Sequence, residues 1–282
     1  MGIITLTTDF GLQDAYVAAM KGVILSLNPD ARILDVSHQV EPQNIQQAAF
    51  LLGETCHYFP ADTIHLAVVD PGVGSGRRGI ILSTPGGLFI GPDNGLFSYA
   101  LSPYLPKTTS DLLPAEGLLK LDLPRGVEAF QISNPAFWLN PVSTTFHGRD
   151  IFAPAAAYVS LGTPLSEFGP RLSWIYAFHL PGPEIAADGS FTGHVVYIDH
   201  FGNLITDITP RMLPSDKSIG LEILGRTIYG LCQNYTQASG LLAVIGSSGR
   251  LEIALQGGSA AGLLSARPGD CFHLSILTSP KG

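Results

Sequence analysis

The first hundred residues switch between two hydrophobic periods, and that alternation restricts the fold more than any other property of the chain. Ile3 to Thr7 is a short apolar run with strand character. Tyr16 to Leu27 repeats its apolar residues at helical spacing until Pro29 stops it. Arg32 to Val36 is a second strand, Gln46 to Phe59 a second helix, and Thr63 to Val69 a third, almost wholly apolar strand. Strands that alternate with helices are joined by crossovers, so they lie parallel in a sheet covered on both faces. Ile80 to Thr84 and Leu88 to Gly91 then read as a hairpin closed by Pro85-Gly86-Gly87.

Regularity fades from Ser102 to Pro141, where Pro103, Pro106, Pro114, Pro124 and Pro135 break every run; this stretch is expected to be a long surface excursion. Helical spacing returns at Ile151 to Leu161. Pro181-Gly182-Pro183 marks a boundary, and beyond it short strands such as Phe191 to Asp199, Leu241 to Ile245 and Leu251 to Leu255 are separated by Gly and Pro. The expected architecture is an α/β domain with a mainly parallel sheet over residues 1–182, followed by a small all-β, barrel-like domain over residues 183–282. With 282 residues, 45% of them hydrophobic and 13% charged, two such cores can be filled.

Charge and cysteine usage narrow the partners. A net charge of −8 argues against a nucleic-acid backbone, which needs a basic surface, but not against a small cationic ligand. The residues after Met1 lack the basic stretch of a signal peptide, and no apolar run approaches the ~20 residues of a membrane helix. Cys56, Cys232 and Cys271 are far apart and lack metal-type spacing, as expected of reduced cysteines in a cytoplasmic protein.

Several motifs offer carboxylates and glycines where ligands bind. Gly74-Ser75-Gly76-Arg77-Arg78-Gly79 matches the dinucleotide fingerprint by letter, but such a loop must open a helix whose amides hold a pyrophosphate. The residues that follow, Ile80 to Pro85, are strand-forming and end at a proline, so no nicotinamide or flavin site is expected. Thr7-Thr8-Asp9-Phe10-Gly11 ends the first strand, with Asp14 close behind. There a carboxylate can take two ribose hydroxyls or face an ammonium group; equally, Asp9 can shape a turn and Asp14 cap the next helix. Asp70-Pro71-Gly72-Val73-Gly74 ends the third strand, and Arg77 is near enough to fold back on Asp70, as a functional pair or a structural one.

Pro92-Asp93-Asn94-Gly95 reads as a tight turn. Phe146-His147-Gly148-Arg149-Asp150 precedes a helix, with Asp150 a candidate N-cap and His147 structural or catalytic. The histidines show no metal-ligand spacing. In the second domain, Asn203 could read an adenine edge, whereas Ser247-Ser248-Gly249-Arg250 and Gln256 to Ala261 fit β-turn chemistry or exposed amides for a ligand.

Taken in order, Thr7 to Gly11, Met20 to Ile24, Val69 to Gly74, Pro92 to Gly95, Phe146 to Asp150 and Phe201-Gly202-Asn203 resemble the S-adenosylmethionine hydroxide adenosyltransferases, water-using relatives of the fluorinases and chlorinases. The resemblance runs from the first strand to Ala261. It implies a water held for attack by Asp70, Arg77 and His147, with Arg78 as the alternative arginine. It also implies ribose contacts from Asp9 and methionine-amine contacts from Asp14 and Asp199. Adenine contacts would come from Asn203 and the backbone near Leu255 and Gly257, and methionine-carboxylate contacts from Ser247 and Ser248. Phe146 would pack on the nucleoside, and Glu252 is a further candidate in the same strand. No metal and no cofactor are implied, and the family assembles as trimers whose sites join one subunit's first domain to its neighbour's second.

Two departures stand out: Gly246 occupies the usual place of an asparagine, and the excursion from Ser102 to Pro141 falls where halide-using relatives carry an insertion. The reaction expected is hydrolysis of S-adenosylmethionine to adenosine and methionine. The rivals are a halide-using adenosyltransferase, a non-catalytic sensor on the same fold, and a metal-dependent phosphohydrolase using Asp9 and Asp14.

Overall fold

The computed structural model describes residues 2–105, 117–180, 182–213 and 219–277. The chain forms two compact units, Met1–Leu180 and Pro181–Gly282. The first begins with β1 (Ile3–Thr8), α1 (Tyr16–Leu27), β2 (Arg32–Ser37), α2 (Ile45–Cys56) and β3 (Ile64–Val68). The hairpin follows as β4 (Gly79–Thr84) and β5 (Gly87–Pro92), then the short α3 (Ser98–Leu101). Next come β6 (Leu118–Asp122), β7 (Glu128–Gln131), one π-type turn at Gly148–Phe152, α4 (Ala153–Ser160), β8 (Arg171–Leu172) and β9 (Trp174–Phe178).

The main sheet has the order β2-β1-β3-β5-β4-β7-β8. Strands β2, β1, β3, β5 and β7 run one way; β4 and β8 run the other. The sheet is therefore mainly parallel, as the alternating periods require. Strand β3 feeds two cores because its side chains alternate in direction. Ile64, Leu66 and Val68 of β3 join Val17, Met20 and Ile24 of α1 and the alanines of α4 on one face. Ala67 and Val69 join Ala48 and Leu52 of α2 and Leu101 of α3 on the other.

The stretch from Ser102 to Pro141 is not simply a surface excursion. Strand β7 enters the main sheet beside β4, pairing Ala129 with Leu82, and β6 pairs with β9 in a separate two-stranded ribbon. These strands are four and five residues long and flanked by prolines, too short to show a period in sequence. Residues 106–116 of that stretch lie outside the described residues.

The second unit contains β10 (Glu184–Ile185), β11 (Phe191–Ile198), β12 (Leu204–Thr206), β13 (Ile219–Ile223), β14 (Arg226–Tyr229), β15 (Leu241–Ile245), β16 (Leu251–Leu255), α5 (Ala260–Leu264) and β17 (Cys271–Ile276). They pair antiparallel in the order β14-β13-β17-β11-β12-β16-β15, with β10 on β11. The sheet curls into a barrel-like wall around Phe191, Leu221, Ile253 and Phe272.

Strand order places the site. From β1 the chain passes through α1 to β2 on one side, then through α2 to β3 on the other side of β1. Connections that leave neighbouring strand ends in opposite directions open a crevice there, where open α/β sheets bind ligands. Asp9 directly follows β1, and Asp70 lies two residues past β3.

Candidate active site

A cavity of about 380 Å³ occupies that crevice. Asp9 and Phe10 enter it from the end of β1, Tyr16 from the start of α1, and Gln43 from the turn before α2. Val68, Asp70, Pro71 and Val73 come from the end of β3. Thr145 to Gly148, leading into the π-type turn, closes the far wall.

Gly74 allows the wall to close. Its φ of +77° is one that a side chain resists, and a Cβ there would lie 2.5 Å from the Thr144 carbonyl oxygen. The loop after β3 thereby lies against the segment carrying His147. Arg77 turns back over it: Nε donates to both Asp70 oxygens at 2.9 Å, one terminal nitrogen makes a short bond to Oδ2, and the same nitrogen lies 2.8 Å from His147 Nδ1. The Phe152 ring lies 5.2 Å from the guanidinium carbon.

Chemistry fixes the imidazole. A guanidinium can only donate, so His147 Nδ1 must accept, and a neutral ring then carries its proton on Nε2. Burial, aided by the Arg77 charge and opposed by Asp70 and Asp150, lowers the His147 pKa and favours that neutral form. The three side chains thus present a carboxylate with unused lone pairs and an imidazole N–H. A water between them would donate to the first and accept from the second.

Arg78 is engaged elsewhere. It forks onto Asp93, donates to the Trp174 carbonyl at 3.2 Å and stacks 3.8 Å over the Trp174 ring. Asp93 also accepts the Tyr176 N–H at 2.8 Å and is buried, which raises its pKa. Pro92 to Gly95 is consequently a cross-brace rather than only a turn, with Asn94 donating to the Val69 carbonyl at 2.9 Å.

Sequence reasoning missed Gln43. Its backbone N–H donates to Asp9 Oδ2 at 2.8 Å from a φ of +68°, a conformation non-glycine residues rarely adopt. Two bonds lock the turn: Asn44 accepts the Gln47 N–H at 2.9 Å, and the Gln47 side chain accepts the Glu41 N–H at 2.6 Å. With Oδ2 so held, Asp9 Oδ1 has no hydrogen-bond partner among the described residues.

Other expectations need correction. Asp14 does not cap α1: the N-cap is Ala15, with no side-chain bond, and Asp14 stands exposed outside the cavity lining. Asp150 is no N-cap either. It is buried inside the π-type turn, where it accepts the Ser143 N–H at 2.7 Å and Arg149 Nε at 2.6 Å.

The second unit gathers its own polar group. Asp199 accepts the N–H groups of Phe201 and Asn203 at 2.9 and 2.8 Å and the Asn203 side-chain amide at 2.9 Å. That last bond fixes Asn203, leaving its side-chain carbonyl oxygen without a partner among the described residues. It also uses three of the roughly four acceptor positions of Asp199, leaving little for a methionine amine.

Glu252 is buried and accepts the Tyr235 hydroxyl at 2.7 Å; burial raises its pKa, and Asp199 adds to the rise. A Cβ at Gly246 would fall on that carboxylate, so the glycine in place of the usual asparagine makes room for Glu252. Ser247 is exposed in the β15–β16 turn, whereas Ser248 Oγ is buried with no partner among the described residues. Leu255 closes β16 and accepts the Gly258 N–H at 3.2 Å, and Gly257 is exposed.

The chain matches the models of the SAM hydroxide adenosyltransferase N-terminal domain over residues 4–169 and C-terminal domain over residues 193–272. It belongs to this family. A Salinispora arenicola protein named (R)-S-adenosyl-L-methionine hydrolase is 39% identical over 275 residues, covering 96% of this chain and 97% of that protein. A Nocardia brasiliensis fluorinase is more distant, at 28% identity over 232 residues, 73% of this chain and 71% of that one. The solved structure of an uncharacterized conserved protein from Thermotoga maritima superposes with a TM-score of 0.82 at 31% identity, covering 96% of this chain and 99% of its own. Among the described residues of the present family member, no group of three or more His, Cys, Asp or Glu gathers as a metal site would, and no helix is long and apolar enough to cross a membrane.

Proposed function

We propose that this chain hydrolyses (R)-S-adenosyl-L-methionine to adenosine and L-methionine. The observation that carries the reading is the Asp70–Arg77–His147 cluster at the topological switch point of the sheet. The identity to proteins named as hydrolases supports the same substrate.

The leaving group sets the demands on the enzyme. Sulfur departs from a sulfonium as a neutral thioether, so no acid and no metal is needed to expel it. Water attacks C5′ as the C5′–S bond breaks, the bonding pair goes to sulfur, and the proton leaves through the hydrogen bond to Asp70. Asp70 accepts from the water, the His147 Nε2–H donates to it, and Arg77 holds both groups in line. Oδ1 of Asp9 suits the ribose hydroxyls, and the Asn203 side-chain carbonyl oxygen suits an exocyclic amine. Water is favoured over halide because Asp70 puts a carboxylate beside the nucleophile. Like charges ~4 Å apart repel by roughly 4 kcal/mol at an effective dielectric near 20, and the Arg77 ion pair offsets part of that. Assembly as a cytoplasmic homotrimer, one subunit's first unit meeting a neighbour's second, is part of the proposal. Its support is that base-reading and water-holding groups lie in different units.

Incubation with S-adenosylmethionine and excess EDTA, alone and with high chloride or fluoride, should yield adenosine and methionine in every case. A 5′-halogenated nucleoside as the main product would identify a halide-using enzyme. Activity lost to EDTA and restored by Mg²⁺ or Zn²⁺ would identify metal chemistry, and stoichiometric binding without turnover a sensor.

A further inference from the structure

Three aromatic rings line one part of the cavity. Phe10 and Phe146 have centroids 5.7 Å apart at 79°, Tyr16 and Phe146 5.1 Å at 86°, and Phe10 and Tyr16 5.7 Å at 52°. Each ring braces the other two, and Phe10 and Phe146 also pack against the core beneath α1 and α4. The three rings thus form one mutually packed patch of the wall.

The remaining lining decides what charge the cavity accepts. Its titratable groups are Asp9, Asp70, Tyr16 and His147, and none of the described lining residues is Lys or Arg. Arg77 balances Asp70, and His147 is held neutral. Asp9 has only the Gln43 N–H against its charge among its described bonds. A cavity with one poorly compensated carboxylate and three ring systems favours a soft cation, because ring faces carry negative potential.

We propose that Phe10 and Tyr16 are specificity-determining residues that let the cavity distinguish a positively charged sulfonium from the neutral thioether of the same skeleton. This rests on the reading of S-adenosylmethionine as substrate and adds the groups that read its charge. Phe146 contributes less, because the Arg149 guanidinium already lies 5.1 Å from its centroid. Sulfur still carries much of its positive charge while the C5′–S bond is breaking, so the rings hold bound substrate and transition state to a similar extent. Their effect falls on KM rather than kcat, and the neutral methionine product loses the attraction.

The test uses two ligands that do not react: S-adenosyl-L-homocysteine, a neutral thioether, and the analogue with a protonated amine in place of the sulfonium. Their Kd values are measured by calorimetry for the full chain and for Phe10→Leu, Tyr16→Leu and Tyr16→Phe. Tyr16 is half exposed, so its variants test the proposal even where Phe10→Leu fails to fold. Each leucine variant should cut the cation-over-neutral preference by roughly 3- to 30-fold, and Tyr16→Phe should keep it. KM for S-adenosylmethionine should rise in the leucine variants while kcat stays within about threefold. Equal weakening of both ligands would show that the rings only pack, and would overturn the proposal. If the unaltered chain bound neither ligand, the substrate reading itself would fail.

Discussion

Replacing Arg77 by lysine tests the arrangement of the water site most directly, because it keeps the charge and removes the fork. Arg77 bonds Asp70 through two nitrogens and His147 through one of them, at 2.9 Å from Nε and 2.8 Å to Nδ1. A lysine ammonium is a single point of donation and cannot span the carboxylate and the imidazole in that geometry. Loss of one charge-assisted hydrogen bond in a partly buried site costs about 1.5–3 kcal/mol. Here the cost falls on the orientation of the groups that hold the nucleophile, so it belongs to the barrier. That corresponds to a kcat lowered by about 10- to 150-fold, with KM within about threefold because Arg77 is not part of the cavity lining. The assay is adenosine release at saturating substrate, with thermal unfolding recorded on the same sample. Arg78→Lys is the matched control. It disturbs the Asp93 fork and the stack on Trp174, so it should lower the unfolding temperature and leave kcat nearly unchanged. An Arg77→Lys enzyme that folds normally and keeps kcat within threefold of the parent would refute the assignment.

The acid limb of kcat/KM should fall below the ordinary histidine value of ~6.5. Burial and Arg77 lower the His147 pKa, so the neutral ring persists as pH drops; a limb at or above 6.5 would contradict this. Stability behaves separately. His65 is buried with its pKa lowered to about 4, so the unfolded chain takes up its proton first and folding weakens as pH falls from 6.5 towards 4, measurable by urea titration. Gly246→Asn should displace the Glu252 carboxylate and break its bond with Tyr235, lowering stability; an unchanged unfolding midpoint would mean the turn relaxes freely. Light scattering should give the mass of a trimer at assay concentration, and an active monomer would remove the proposed intersubunit site.

Much of the fold was legible because burial on two faces leaves a strong pattern. Helix α1 fills the range that its helical spacing marks, and β1, β2, β3 and the β4–β5 hairpin fall within a residue or so of their expected limits. Where strands are short and half exposed, the pattern vanishes. Strand β7 alternates over only four residues, Glu128 to Gln131, and its place beside β4 is set by pairing across more than forty positions. No local signal encodes such a contact.

The site was legible to the extent that it is local. Asp70 and Arg77 are seven residues apart in a glycine-rich loop, so their meeting could be anticipated, though not its purpose. His147 lies seventy positions from Arg77, and only the folded sheet brings it within 2.8 Å. The choice between Arg77 and Arg78 turns on direction. Just before β4 the two side chains take different directions: Arg77 bonds Asp70 at the cavity edge, and Arg78 stacks on Trp174. Sequence identifies the pair but not which member faces which way. Gln43 is hidden for a further reason. Its N–H reaches Asp9 only because the Asn44 and Gln47 side chains hold the turn in a left-handed conformation that glutamine does not favour. A conformation imposed by neighbours against a residue's own preference leaves no trace in that residue's identity, and such positions gather where a ligand must be held.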